Sequence, residues 1–322
     1  MASHPRGRLR RTLLAALVTA AVAVPVAGAA RAVDVPAPAP APVTPLVTAA
    51  PAELDARYAA GREALRAAER AAEAYGAHTR AAALRTMGAP GRRFLAFDGR
   101  AGGRSAEVVG DLARAERIAV LVPGADTDLD HYARFRAGAV ALHDALRHQR
   151  AAPAAVVAWL GYRTPATGSS SSLTPGRADQ AAPALRAFVE ELHRAKPRAR
   201  ITLLCHSYGS VVCARSAAGL PVAALVLYGS PGTGFDRAAE LGTRATVWAG
   251  RASGDWVGGV PHVRLPLPAG SELGFGTDPV DPAFGARTFA AGDGGHSDYL
   301  APGSVPLDNL ARIVDGQELR HG

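Results

Sequence analysis

One serine in this sequence has the neighbours expected of a nucleophile. Ser207 lies in the stretch CHSYG (205–209), directly after an apolar run. A serine on a sharp strand-to-helix turn projects its hydroxyl from the backbone, and this turn needs small residues two positions before and after the serine. Gly209 meets that need, and Cys205 is a compact replacement for the usual glycine. Ser207 is therefore a candidate to attack a carbonyl carbon and carry an acyl group.

Two other serines have partly similar surroundings. Ser230 follows an apolar run and has a glycine two positions later, but Pro231 comes between them. Proline has no N–H, so it cannot donate the hydrogen bond that the residue after this kind of nucleophile supplies to an oxyanion. Ser297 follows no predicted strand, and the bulky Tyr299 occupies a position that should be small. Ser230 is interpreted as a turn residue, and Ser297 is excluded.

A nucleophilic serine needs a histidine to remove its proton and a carboxylate to orient that histidine. In α/β-hydrolases the acid follows the serine in the chain and the histidine comes last. After the serine, His262 opens a predicted strand and His321 lies in the terminal tail. His296 lies in the glycine-rich stretch AGDGGHSDYL, between the last predicted strand and the last predicted helix. We therefore predict His296 as the base.

The predicted acid is Asp255. It directly follows the penultimate predicted strand, and it lies between the serine and the histidine in the chain. Asp236, after the preceding strand, is the alternative. Asp278 and Asp281 belong to a proline-containing loop, where aspartate is common in turns.

Backbone N–H groups must also face the oxyanion that forms during acyl transfer. The N–H of Tyr208 is the first predicted donor. The second is expected in the loop PGADTD (123–128), where Gly124 permits a tight turn and the N–H of Ala125, or of Asp126, is available. The same loop can cap the following helix through an aspartate side chain, and the two roles are compatible.

The order of apolar and amphipathic stretches predicts the elements that position these residues. Strands are predicted at 93–98, 106–110, 117–123, 154–161, 199–206, 222–229, 245–251 and 262–267. Helices are predicted at 128–147, 177–194, 208–218, 235–241 and 305–314. A hairpin followed by strand–helix repeats indicates an α/β fold, with a mostly parallel central sheet and helices on both faces. The chemistry of such a sheet lies at the carboxyl ends of its strands.

The N-terminal third contains three further predicted segments. Basic residues up to Arg11, the apolar stretch 12–30 and the small residues after it are typical of a Sec-type signal peptide over residues 1–32. An uncleaved membrane anchor is the alternative, because the apolar stretch approaches spanning length. Its alanine-rich composition and Pro25 favour cleavage, so we expect a secreted protein with no stable membrane span. Residues 33–51 read as a Pro/Ala-rich linker, 52–90 as a helical segment broken near Gly76, and 91–322 as the catalytic domain.

The formal net charge of +8 does not indicate nucleic-acid binding. Five arginines precede Asp34, the first acidic residue, so the rest of the chain carries only +3. The sequence also has no basic run with interleaved aromatic residues. Neither a metal ion nor an organic cofactor is expected, since a serine, a histidine and a carboxylate need none for acyl transfer.

Cys205 and Cys213 are the only cysteines. Export would permit a disulfide between them. Gly209 and Cys213 share one face of the predicted helix, but Cys213 is a full turn further on, and a disulfide needs Cα atoms within about 7 Å. The sequence therefore leaves both a disulfide and two buried thiols open.

Several motifs together resemble a known family. They are VLVPGADTDLDHY, LLCHSYGS, LYGSPG, SGDWVGGVPH, DPAFGAR and GHSDYL, in this order. From about Ala52 to its end, the chain resembles the secreted actinobacterial α/β-hydrolase family catalogued as a domain of unknown function. The resemblance implies an α/β-hydrolase fold, and it places Ser207, Asp255 and His296 at the triad positions. It implies no particular substrate.

The predicted function is hydrolysis of a small-molecule or lipid ester through an acyl-enzyme on Ser207. The short connection after the strand at 222–229 leaves no space for a large cap, so an open site is expected. The stretch GYRTPATGSSSSLTPG either lines one wall or forms a surface loop. Thioesters and amides are alternative substrates. An acyltransferase with the same triad and a non-catalytic protein that binds an envelope component or a partner are the alternative functions.

Overall fold

An eight-stranded sheet organises the computed structural model, which describes residues 34–267 and 272–319. The strands within these ranges are β1 (Arg93–Asp98), β2 (Arg104–Gly110), β3 (Arg117–Val122), β4 (Ala154–Leu160), β5 (Arg200–His206), β6 (Ala224–Tyr228), β7 (Thr246–Gly250), β8 (Arg264–Pro266), β9 (Glu272–Gly274) and β10 (Arg287–Thr288). The order in the large sheet is β1-β2-β4-β3-β5-β6-β7-β10. Strand β2 pairs antiparallel with β1 and β4, and the remaining pairs are parallel. The predicted signal peptide and His321 lie outside the described residues.

Helices cover both faces of this sheet. They are α1 (Pro51–Ala74), α2 (His78–Met87), α3 (Tyr132–His148), α4 (Gly176–Ala195), α5 (Gly209–Ser216) and α6 (Val305–Asp315). Short 3-10 helices occupy Ser170–Ser172, Ala238–Leu241 and Trp256–Gly259. None of the helices within the described ranges has both the length and the apolar character needed to cross a membrane.

Strand β3 shows why the sheet must be covered on two sides. Ile118, Val120 and Val122 belong to a buried cluster that includes apolar residues of α4 and α5. Ala119 and Leu121 belong to a second cluster, which includes residues of α3 and α6. Successive side chains of a strand point to opposite faces, so a strand buried on both faces reads as a continuous apolar run. The α/β fold predicted from the sequence is confirmed.

The prediction that the last strand, at 262–267, belongs to the large sheet is wrong. Within the stretch 262–267, only Arg264–Pro266 is a strand, and it pairs with β9 in a separate antiparallel hairpin. The edge next to β7 is taken by β10, which has two residues. Alternating apolar residues with a proline are typical of an exposed edge strand, whereas two residues are too few to leave a pattern in the sequence.

The helical N-terminal segment packs on the sheet. Tyr58 and Leu65 of α1 are buried, and α1 contacts β1. The guanidinium of Arg57 donates to Glu191 of α4 at 2.6 Å and to the carbonyl oxygen of Leu95 in β1 at 3.3 Å. These contacts connect α1 to α4 and β1, and they favour a structural role for the segment.

Residues 34–50 contain no helix or strand, yet part of this stretch is held against the domain. Leu46 and Ala49 are buried. The N–H of Leu46 donates to Glu191 at 2.8 Å, and the N–H of Ala49 donates to the carbonyl oxygen of Ala195 at 3.2 Å. The end of the proline-rich stretch is therefore anchored on α4.

Candidate active site

Ser207 occupies a strained turn between β5 and α5. Its φ is +52°, in the left-handed region that residues other than glycine rarely adopt. Its N–H donates to the carbonyl oxygen of Tyr228, the last residue of β6, at 3.0 Å. A Cβ atom at Gly209 would lie 2.6 Å from the carbonyl oxygens of both Val122 and Pro123, so only glycine fits where α5 passes the end of β3. The structure therefore places the serine on a strand-to-helix turn.

The structure brings Ser207, His296 and Asp255 together. They follow β5, β10 and β7, at the carboxyl edge of the sheet. Ser207 Oγ lies 2.9 Å from His296 Nε2, and His296 Nδ1 lies 2.9 and 3.0 Å from the two carboxylate oxygens of Asp255. Because a carboxylate accepts hydrogen bonds, Nδ1 carries the proton and Nε2 is left to accept from the serine hydroxyl. This arrangement can remove a proton from Ser207.

Asp255 is buried and held by several donors. Its Oδ1 accepts from the N–H of Val257 at 2.9 Å, and its Oδ2 accepts from the hydroxyl of Tyr299 at 2.5 Å. Burial alone raises the pKa of Asp255, but the hydrogen bonds from His296, Tyr299 and Val257 outweigh it and lower that pKa to about 2. The carboxylate is therefore ionised at neutral pH, where it can stabilise a protonated His296.

Two aromatic rings fix the position of His296. His206 Nε2 lies 2.7 Å from the carbonyl oxygen of His296, and the two ring centroids are 4.7 Å apart. The ring of Trp256 lies 4.9 Å from that of His296. Burial, together with the positive charge of a protonated His296, lowers the pKa of His206 to about 3. His206 is therefore neutral near pH 7, and its Nε2–H donates to the backbone of the loop that carries His296.

Two backbone N–H groups near Ser207 are available to a ligand. Within residues 34–267 and 272–319, the N–H groups of Tyr208 and Ala125 donate to no acceptor. The loop before Ala125 contacts the serine closely, because a Cβ atom at Gly124 would lie 2.6 Å from Ser207 Cβ. The prediction of Asp126 as an alternative donor is wrong, since its N–H donates to the carbonyl oxygen of Pro165 at 3.0 Å.

The other aspartates and the other histidine considered for the site form interactions elsewhere. Asp236, the alternative acid, pairs with Arg264 at 2.8 Å. Asp278 pairs with Arg251 and lies 3.4 Å from His262. Thus neither the alternative acid nor the alternative histidine contacts Ser207, and the chain order of serine, acid and histidine has selected residues that meet in space.

Three residues that support the site were missed by the sequence reasoning. In the sequence the bulk of Tyr299 only argues against Ser297, whereas in the structure its hydroxyl donates to Asp255. Trp256 and His206 are chain neighbours of the acid and the serine. Their closeness in sequence to the proposed triad could have indicated a supporting role. Their contacts, however, depend on the turns that follow β5, β7 and β10.

The two cysteines form a disulfide. Cys205 in β5 is bonded to Cys213 in α5, and their Cα atoms are 6.4 Å apart. The bond connects the strand before Ser207 to the helix after it, and both cysteines are fully buried. This resolves the choice that the sequence left open between a disulfide and two thiols. Over the part of the chain that the structure describes, no three His, Cys, Asp or Glu residues are grouped so that they could hold a metal ion.

Comparison with known proteins gives a family and several relatives. The family described as "Alpha/beta hydrolase" matches residues 98–265, more than half of the chain. An uncharacterized protein of Mycobacterium tuberculosis is 35% identical over 145 residues, which cover 42% of this chain and 54% of that protein. Another uncharacterized protein of the same organism is 31% identical over 262 residues, which cover 69% of this chain and 38% of that protein. The chain therefore matches about half or less of the length of these curated relatives.

Solved structures of low sequence identity also match. A Xanthomonas campestris protein described as an a/b serine hydrolase without a lid is 18% identical, with a TM-score of 0.42, over 71% of this chain and 94% of that chain. A structure described as an esterase is 17% identical, with a TM-score of 0.44, over 67% of this chain and 99% of that chain.

The low pKa of Asp255 predicts a stability change in acid. The folded value is about 2, whereas an unfolded aspartate titrates near 3.9. A lowered folded pKa contributes stability that is present above the unfolded pKa and is lost as the pH falls through the folded one. The difference in unfolding free energy between the wild type and Asp255→Asn should be constant above about pH 5. Between about pH 4 and pH 2, the free energy of unfolding of the wild type should fall towards that of the variant, so the difference should shrink. Urea denaturation at each pH measures it.

Tyr299→Phe gives a second comparison for this pH effect. The variant lacks one of the hydrogen bonds that lower the pKa of Asp255, so its folded pKa lies closer to the unfolded one. Its acid-dependent loss of stability should therefore be smaller than in the wild type, and it should be complete at a higher pH. If the difference in unfolding free energy between the wild type and Asp255→Asn did not change between about pH 5 and pH 2, the assignment of hydrogen bonds to Asp255 would be contradicted.

Proposed function

The chain belongs to the alpha/beta hydrolase family, and from this premise we propose that it is a serine hydrolase that cleaves carboxylic esters. The observation that carries the proposal is the continuous hydrogen-bonded array of Ser207, His296 and Asp255. A hydroxyl, an imidazole and a buried carboxylate in this order are the parts that acyl transfer needs. We propose small-molecule or lipid esters as the substrates.

Acylation begins at the serine hydroxyl. In the proposed step, His296 Nε2, 2.9 Å from Ser207 Oγ, accepts the hydroxyl proton as Oγ attacks the ester carbonyl carbon. The bond to the alcohol oxygen then breaks, and His296 returns the proton to that oxygen. The alcohol leaves, and the acyl group remains on Ser207. Asp255 stabilises the transient imidazolium through the hydrogen bond at Nδ1.

Negative charge on the carbonyl oxygen is stabilised by the backbone. We propose the N–H groups of Tyr208 and Ala125 as the two donors, because both are free of acceptors in the described ranges and flank Ser207. Loss of one such donor in a serine hydrolase typically costs about 3 kcal/mol of transition-state stabilisation. Since these donors are backbone groups, the proposed reaction depends on the backbone conformation of the tight turn at Gly124.

Water completes the cycle. His296 removes a proton from a water molecule, which attacks the acyl carbon, and collapse of the intermediate returns the proton to Ser207 Oγ and releases the carboxylic acid. An open site supports access for water. In the described structure, the connection from β6 to β7 contains a single 3-10 helix, Ala238–Leu241, and Ser207 is only half-buried.

Two features support an extracytoplasmic location for this hydrolase. The sequence of residues 1–32 has the pattern of a signal peptide. The buried disulfide between Cys205 and Cys213 is of the kind that forms in oxidising compartments and is rare in the cytosol. We therefore propose that the protein is exported and that the disulfide forms during or after export.

Substitution of the triad tests the proposed activity. Ser207→Ala and His296→Ala should each lower kcat for p-nitrophenyl butyrate by about 10³-fold or more, because the nucleophile or its base is lost. Release of p-nitrophenol is the measurement. The matched control is Ser297→Ala, which changes an exposed serine next to His296 and should keep wild-type turnover. Turnover in Ser207→Ala equal to that of the wild type would refute the proposal.

Intact mass spectrometry tests export and the disulfide together. Protein recovered from outside the cytoplasm should have lost a peptide ending near residue 32. It should also take up no iodoacetamide unless it is first unfolded and reduced, because both cysteines are bonded. A full-length mass, or two alkylated thiols without reduction, would contradict this location or this bond, respectively.

A further inference from the structure

The β8–β9 hairpin has an apolar side that is exposed to solvent. Val263, Leu265 and Leu267 alternate along the chain, so their side chains share one face. They are 47%, 47% and 38% exposed. Leu273 of β9 lies directly opposite Leu265 in the register, and it is half-buried. We call these four residues the hairpin face.

The other side of the hairpin is polar, and it contacts the domain. Arg264 pairs with Asp236 at 2.8 Å and with Glu272 at 3.5 Å. Glu272 also pairs with Arg215 of α5 at 3.3 Å. Antiparallel hairpins on a soluble domain normally place apolar residues inwards and polar residues outwards. This hairpin departs from that pattern, because Leu265 is exposed together with the other two residues of β8, and contiguous exposed apolar surface marks an interaction site.

The hairpin is connected to the proposed catalytic centre through the residue after the nucleophile. The ring of Phe275, which follows β9, lies 5.6 Å from that of Tyr208. The N–H of Gly274 donates to the carbonyl oxygen of Leu173 at 2.8 Å, and the hydroxyl of Tyr208 donates to the next residue, Thr174, at 2.7 Å. The end of the hairpin is therefore packed against the side chain of the residue whose N–H is the first proposed oxyanion donor.

Further exposed apolar side chains flank the same centre. Leu173, which contacts the end of β9, is 43% exposed. Trp256 is 57% exposed, and its ring lies 4.9 Å from that of His296. Exposed apolar residues thus occur on the side of Tyr208 and on the side of His296, next to the residues proposed to act on the ester.

We propose that the hairpin face binds the surface of an aggregated lipid, from which the enzyme takes an ester with a long hydrocarbon chain. This proposal rests on the proposed function, and it specifies the substrate class of the same site. Transfer of exposed leucine and valine side chains from water into the acyl region of a lipid layer is favourable. Docking brings the ester bonds of that layer to Ser207.

The composition of the hairpin face favours lipid over a protein partner. Its four residues are aliphatic, whereas the residues that dominate protein interfaces are mainly Trp, Tyr and Arg. Its position also favours lipid. The end of the hairpin is packed on Tyr208, next to the proposed nucleophile in the chain, and a lipid layer bound to the hairpin face contains the proposed substrate.

Quenching by brominated lipid tests where the chain contacts a vesicle. The full chain with Ser207→Ala, which prevents hydrolysis, would carry either Leu267→Trp or the matched control Val47→Trp, another exposed apolar position that is 70% exposed. Each is mixed with vesicles of phosphatidylcholine brominated in its acyl chains. The added fluorescence at position 267 should fall by about half or more, because the side chain enters the acyl region. The fluorescence at position 47 should not fall.

The control also separates the hairpin from the N-terminal leader. Residue 47 is close in sequence to the apolar stretch 12–30, so binding through that stretch alone would quench position 47 at least as strongly as position 267. That result, or no quenching at position 267, would overturn the proposal.

Turnover gives an independent measurement. In a chain with Ser207 intact, Leu265→Ser combined with Leu267→Ser should lower the ratio of turnover on vesicle-borne ester to turnover on dissolved p-nitrophenyl butyrate by about tenfold or more. Val47→Ser should keep the wild-type ratio, and matching thermal melting points would show that both variants fold. An unchanged ratio in the double variant would contradict lipid docking. Failure of the wild type on the dissolved ester would instead refute the proposed function.

Self-association is the remaining outcome to measure. If sedimentation velocity finds a wild-type dimer that Leu265→Ser with Leu267→Ser converts to a monomer, the hairpin face is an interface between copies, and the lipid proposal is wrong. A wild-type monomer that binds the vesicles through position 267 supports it.

Discussion

The left-handed backbone at Ser207 is the constraint on which the rest of the site depends. A residue with a side chain in this region costs about 1–3 kcal/mol, and it persists only when the surrounding structure fixes it. Here the hydrogen bond to Tyr228, the close passage of Gly209 over the end of β3 and the disulfide from β5 to α5 all act on the same turn. With the turn fixed, the hydroxyl of Ser207 points towards His296, and the N–H of Tyr208 is left without an internal acceptor among the described residues.

The second half of the site depends on holding a histidine that comes from a long loop. Asp255 binds one ring nitrogen of His296, and His206 binds its backbone carbonyl oxygen. Tyr299 then holds Asp255, so three side chains outside the serine and histidine decide the orientation of the imidazole. Near pH 7 Asp255 is ionised and His206 is neutral. The negative charge therefore lies on Asp255, where it can stabilise a protonated His296.

Much of this arrangement can be predicted from sequence, for identifiable reasons. Strands such as β3 and β5 are buried on both faces, so they leave continuous apolar runs, and the residues that follow them must meet at one edge of the sheet. Ser207 and Asp255 are predicted in that way, and His296 is predicted from its place in a glycine-rich stretch between the last predicted strand and the last predicted helix. The two-residue strand β10 leaves no pattern, and the stretch at 262–267 resembles a sheet strand although it forms a hairpin. The roles of Tyr299 and His206, and the disulfide, depend on distances between loops that no spacing in the sequence specifies.

Covalent labelling measures whether Ser207 is the activated nucleophile of this chain. The intact protein would be incubated with a fluorophosphonate, which reacts with serines that an adjacent base activates, and the site would be identified by peptide mass spectrometry. We expect one phosphonyl group per chain, on Ser207, and no such group when His296 is replaced by alanine. No labelling of the folded wild type, or labelling of a different serine, would contradict it.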